Sequence, residues 1–123
     1  MNLKTKLTMK TNSNFEYDLE TGIIAEKYIS NILSNKKIEV KKDELAKKTG
    51  NVFVEYESRN KPSGIATTKA DFYCFVISNE NIIFVETNKL KELCKQKGLR
   101  KVPGGDSDTS MGVLLPLKQL VKL

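Results

Sequence analysis

The residue pattern predicts a single α/β domain in which a central mixed sheet of four to five strands is flanked by helices. Three observations carry this expectation. Residues 18–34 repeat apolar side chains at helical spacing. The runs 71–78 and 82–85 are too continuously apolar for a strand with one wet face, so the first reads as a central strand and the second as another buried one. A chain of 123 residues is long enough to bury one core without disulfide staples.

Each element follows from local chemistry. Residues 1–14 are polar and rich in Thr, Asn and Lys, and are expected to form an N-terminal arm ahead of one domain over 15–123. In the first helix, Leu19, Ile23, Ala25, Ile29, Ile32 and Leu33 recur on one stripe, and Glu26 falls on that stripe, where a carboxylate needs a partner. Residues 38–45 then alternate Ile38 and Val40 against Glu39 and Lys41, residues 47–51 supply a turn, and residues 52–58 form a second arm, so a hairpin is expected. Residues 59–64 break the sheet and 65–70 are a helical turn or an irregular connection. After the two buried strands, Thr87 or Asn88 caps a helix carrying Leu90, Leu93 and Cys94 that stops at Gly98. A loop rich in Gly and hydroxyls precedes the apolar residues 111–115, and Pro116 starts a last short helix reaching Leu123.

Composition narrows the chemistry. Lys and Arg number 21 against 15 Asp and Glu, a formal charge of +6, which favours a polyanionic partner over a cation. There is no histidine, so Ser-His-Asp and Cys-His catalysis and His-ligated zinc are excluded, leaving carboxylates, lysines, hydroxyls and water. Cys74 and Cys94 sit in apolar contexts without CxxC spacing and read as core fillers in a reducing cytosol. With no signal-peptide core and no membrane-length apolar run, the expected location is the cytoplasm.

The acids suggest a site. Glu55 and Glu57 are two residues apart on an extended run, which places them on one face about 7 Å apart, and Asp43 lies twelve positions before Glu55 on the preceding arm. Such a cluster is costly at a strand end unless a cation neutralises it, and a hard divalent ion suits. Lys41 shares a face with Asp43. In the loop that follows, Ser63, Thr67 and Thr68 beside Lys61 and Lys69 offer hydroxyls and ammonium groups to phosphates, although loops also use such residues simply to turn the chain. The lysines at 89, 91, 95 and 97, with Arg100 and Lys101, form a cationic end that reads slightly better as a solvated face than as a DNA track. Tyr56 and Tyr73 occupy strand-core positions, so aromatic stacking on bases is not indicated.

The order helix, hairpin, strand, strand, helix, strand, with Glu26 on the helix, Asp43 on the first arm and the acid pair on the second, resembles the PD-(D/E)xK nuclease superfamily. Gly22-Ile23-Ile24-Ala25-Glu26 resembles the helix-one glutamate segment of Holliday-junction resolvases. Val54-Glu55-Tyr56-Glu57 resembles the apolar-Glu-apolar-Lys motif, with Glu57 where most members carry lysine. Residues 49–57, Lys61-Pro62-Ser63-Gly64 and Thr67-Thr68-Lys69-Ala70-Asp71 are similar to small phage-encoded proteins of this class.

The resemblance implies a restriction-endonuclease-like core and a metal-dependent DNA endonuclease, acting on branched DNA such as a Holliday junction and working as a homodimer. It implies Mg²⁺ or Mn²⁺ held by Asp43, Glu55 and the main-chain carbonyl of Tyr56, with Glu26 nearby and no organic cofactor. Glu57 would take a proton from water or bind a second ion. Lys41, Lys61 or Lys69 would replace the missing motif lysine, Lys41 being favoured. Two other readings stay open: a nuclease-fold protein that binds DNA or a protein without cutting, and a basic interaction protein whose acids are surface charges.

Overall fold

The computed structural model of the chain describes residues 12–121. The chain divides into two units, one ending at Lys36 and the other starting at Lys37. The first holds a single helix, α1 (Asn12–Asn35). This helix begins six residues earlier than the pattern suggests, and most of the expected arm, residues 1–11, lies outside the described residues. Glu26 is exposed rather than set on an inward stripe. The physical reason is that apolar residues do not keep to one side of α1. Ile23 and Ile24, and again Tyr28 and Ile29, are neighbours about 100° apart around the axis, and all four are exposed.

The second unit carries β1 (Ile38–Lys42), α2 (Ala46–Thr49), β2 (Asn51–Ser58), β3 (Lys61–Pro62), β4 (Phe72–Val76), β5 (Ile82–Glu86), α3 (Thr87–Cys94), β6 (Lys101–Gly104), β7 (Ser110–Pro116) and α4 (Leu117–Leu120). The α/β class is therefore the one the sequence leads to. Its strands are divided between two sheets: a mixed sheet in the order β1-β4-β5 and an antiparallel sheet in the order β3-β2-β7-β6. In the first, β1 runs parallel to β4, with Glu39 beside Tyr73 and Lys41 beside Phe75, and β4 is antiparallel to β5.

The expected hairpin between β1 and β2 does not form. Residues 46–49 take a helical turn instead of a β-turn, with Ala46 fully buried, and Gly50 ends it in the left-handed conformation at φ 75° while its N–H reaches the Ala46 carbonyl at 2.8 Å. That turn carries the chain out of one sheet and into the other, so β1 finds its partner in β4 and β2 finds its own in β7.

The inner faces of both sheets meet in one apolar cluster. Tyr73, Phe75 and Val85 from the first sheet, Val52, Val54, Val113 and Leu115 from the second, and Leu90 of α3 belong to it. Phe75, Leu90, Leu115 and Val52 are the largest fully buried members, each stabilising by about 1.5–3 kcal/mol relative to exposure. Cys74 and Cys94 are free thiols. Among the described residues no helix is long and apolar enough to cross a membrane.

Candidate functional site

β1 is an edge strand, hydrogen-bonded among the described residues only to β4. Alternate residues of a strand share a face, so Glu39 and Lys41 point the same way, and their registers with Tyr73 and Phe75 put them on the side of the sheet that faces the core. Their side chains touch, Lys41 Nζ lying 3.5 Å from Glu39 Oε2, and both remain near half-exposed, at 46% and 41%. The segment Ile38-Glu39-Val40-Lys41 thus presents an apolar-Glu-apolar-Lys pattern on a strand, with the carboxylate and the ammonium already in contact.

The Tyr73 hydroxyl is the hub of this region. Burial pushes its pKa up, a hydrogen bond with the Thr68 hydroxyl pulls it down, and the charges of Glu39, Cys94 and Glu55 raise it further. The phenol is therefore held in its protonated form at neutral pH. Glu39 lies beside Tyr73 in the register of the first sheet, whereas Glu55 pairs with Gly112 in the second.

Glu55 is positioned by the loop that follows its strand. Ser63 Oγ donates a 2.7 Å hydrogen bond to Glu55 Oε2, and the Ser63 N–H reaches the Tyr56 carbonyl at 3.0 Å. The next residue, Gly64, has φ +55° and packs so closely on the Glu55 backbone that an added Cβ would overlap the Glu55 carbonyl oxygen and lie 2.9 Å from its carbonyl carbon. Only glycine meets both demands at low cost. One carboxylate oxygen is fixed by a charge-assisted bond, leaving the other available for a ligand.

The remaining expected residues fall elsewhere. Glu55 and Glu57 do not share a face, because the β2–β7 register slips between them: Glu55 pairs with Gly112 and Glu57 with Met111, which are consecutive on β7. Consecutive strand residues point to opposite sides, and the bulge at Tyr56 carries that inversion across to β2. Asp43 lies just past β1 and is engaged by the backbone at both oxygens, Oδ1 accepting from Ala46 N at 3.1 Å and Oδ2 from Phe53 N at 2.9 Å. The Tyr56 carbonyl, an expected metal ligand, accepts the Ser63 N–H. Of the loop residues, Ser63 and Thr68 are turned toward Glu55 and Tyr73, while Lys61, Thr67 and Lys69 are exposed. Thr68 Oγ1 also accepts from Ala70 N at 3.1 Å. Among the described residues no group of three or more Cys, Asp or Glu side chains is gathered to hold a metal ion.

Sequence reasoning passes over Glu39, Tyr73 and the structural use of Ser63. A signal for Glu39 is present in the chain: Ile38-Glu39-Val40-Lys41 fits the apolar-Glu-apolar-Lys motif with its lysine in place, which Val54-Glu55-Tyr56-Glu57 does not. No family model, curated protein or solved structure matches this chain.

Proposed function

We propose that this protein is a metal-dependent DNA endonuclease whose reactive centre is built on Glu39, Lys41 and Glu55. The observation that carries the reading is the ion-paired Glu39 and Lys41 on an edge strand, in register with the buried Tyr73 and Phe75. The charge of +6 supports a polyanionic substrate. Branched DNA is the substrate that the family resemblance favours, and a homodimer would supply the two active sites that two cuts need.

All-oxygen donors suit a hard cation of the Mg²⁺ or Mn²⁺ kind, for which Glu39 and Glu55 would be the carboxylates and substrate phosphate a further ligand. When bound, the ion supplies Lewis-acid polarisation of the phosphodiester and a more acidic water. The chain's own residues do the rest. Lys41, beside Glu39 and solvent-accessible, offsets the negative charge that builds on the phosphoryl oxygens during attack. Ser63 fixes one oxygen of Glu55 by its 2.7 Å hydrogen bond.

The reading is tested by incubating the protein with junction, duplex and single-stranded DNA in Mg²⁺, Mn²⁺ or chelator. Cleavage is expected in metal only, and Glu39→Gln, Lys41→Ala and Glu55→Gln should each lose about 100-fold or more, the scale for removing one group that stabilises developing charge. Equal cutting by Glu39→Gln would remove the assignment. The lack of a three-acid group among the described residues favours a second reading, in which the fold binds DNA without cutting it. DNA binding with no cleavage in either metal would select that alternative.

A further inference from the structure

A cleft of about 440 Å³ lies beside the bulged end of β2, and the chemistry just described makes no use of it. Its floor is formed by Tyr56, Ile65, Val113 and Cys94, from β2, the turn after Ser63, β7 and α3. Its rim carries Lys91, Lys95 and Lys101. A second hollow of about 430 Å³ shares Cys94, Lys95, Lys101 and Val113 with the first and adds Lys97. Among the described residues no carboxylate lines either space. Among the described residues none of the four lysines is paired with an acid.

An apolar floor under a ring of unpaired ammonium groups selects an anion with a flat apolar body. Water alone leaves the floor unsatisfied, and a simple inorganic anion uses only the rim. A DNA duplex also fits poorly, because it presents phosphates and sugars while its bases are stacked inside. An unpaired nucleotide supplies both parts, a base face for the aromatic and aliphatic floor and phosphates for the lysines.

We propose that this cleft holds an unpaired nucleotide of a DNA strand, its base against Tyr56, Ile65 and Val113 and its flanking phosphates among Lys91, Lys95 and Lys101. The inference rests on the reading of the protein as DNA-binding and deepens it, since strand ends and branch points are where unpaired nucleotides occur. Cys94 lines both this cleft and the adjoining hollow, so it reports on a strand seated in either. Half-buried in the cleft wall, Tyr56 acts as a stacking platform and not only as a core residue.

Cys94 provides the readout. The full chain is treated with methyl methanethiosulfonate in mildly alkaline buffer with chelator, and modification of Cys94 is followed by peptide mass spectrometry, the buried Cys74 serving as internal control. At about ten times its Kd, a short oligothymidylate should slow Cys94 modification about tenfold by occupancy. A blunt duplex of the same length and inorganic polyphosphate should not protect. A combined Lys91→Ala, Lys95→Ala and Lys101→Ala variant with an unchanged melting temperature should lose the protection. Failure of the single strand to protect, or equal protection by duplex or polyphosphate, overturns the proposal. Glu39→Gln must be protected like wild type. Protection without any cleavage would sink the endonuclease reading and leave the cleft assignment standing, whereas cleavage without protection would do the reverse.

Discussion

Replacing Asp43 by alanine separates two roles for this carboxylate that make opposite predictions. In the structure each oxygen accepts one backbone N–H, from Ala46 at 3.1 Å and from Phe53 at 2.9 Å, so Asp43 ties the end of β1 to α2 and to β2 in the other sheet. Hydrogen bonds to a charged acceptor contribute about 1.5–3 kcal/mol each. Half-burial places these two at the lower end, giving about 3 kcal/mol for the pair. For a unit of this size that lowers the melting temperature by about 12–24 °C. Asp43→Asn keeps one acceptor but turns an amide N–H₂ toward a backbone donor, so it should recover less than half of the loss. Thermal unfolding and urea titration in chelator measure both variants without any metal contribution. If Asp43 served chiefly as a metal ligand, its removal in chelator would relieve repulsion, leaving the protein as stable as wild type or more so, and Mn²⁺ would no longer raise its melting temperature. That outcome would refute the role assigned from the hydrogen bonds.

Two further perturbations test the packing and the ionisation of named groups. The Phe53 ring fits between Gly104 and Gly112; a Cβ on Gly112 would lie 2.6 Å from both the ring and the Val54 carbonyl oxygen, while the nearest atoms to one on Gly104 are all of the ring. Gly112→Ala should therefore cost about 2–3 kcal/mol and Gly104→Ala less, read as lowered urea midpoints at constant slope, with Phe53→Leu rescuing the second but not the first. Burial pushes the Cys94 thiol from 9.0 up to about 11, so its alkylation rate should climb about tenfold per pH step from neutrality without levelling near pH 9.5. Because the folded value is raised above the unfolded one, this thiol's contribution to stability is intact below pH 9 and lost as pH rises toward about 11. Cys94→Ala should flatten that alkaline decline, leaving the part due to Tyr73, whose pKa is raised as well.

Much of the fold is legible where side chains alone decide it. The strand β4 is a continuous apolar run and is buried, and α4 begins where Pro116 fixes the backbone. Two expectations are corrected: β5 is an edge strand with Ile82 and Phe84 exposed instead of a buried one, and Thr87 is the first residue of α3, its hydroxyl buried without a partner among the described residues instead of capping the helix, which ends at Cys94. The elements that escape notice are held by backbone pairing instead. β6 contains Lys101, Pro103 and Gly104, all poor strand formers, and exists because it lies at a sheet edge against β7. The hairpin expectation fails for a related reason. Proximity in sequence favours β1 with β2, but the turn at Ala46 and Gly50 exports β2 to another sheet, and nothing in residues 38–42 reveals a partner 34 positions away.

The candidate site was harder to read than the core because β1 inverts the usual relation between polarity and face. Ile38 and Val40 alternate with Glu39 and Lys41, a pattern that assigns the charged pair to solvent. The registers do the opposite: Glu39 and Lys41 share the side of Tyr73 and Phe75, while Val40 stands 59% exposed. Exposing a valine forgoes about 1.5–3 kcal/mol of burial, and moving an acid and a lysine toward a core adds desolvation that their 3.5 Å contact only partly offsets. A strand selected for stability alone would slip by one residue and gain on both counts. That it is held in the costly register by the Lys37 and Asp71 backbone bonds at its entry and by Asp43 at its exit argues that the register serves the charged pair. Conflict between local pattern and observed placement is expected at functional positions, and on β1 it falls on an edge strand in register with Tyr73.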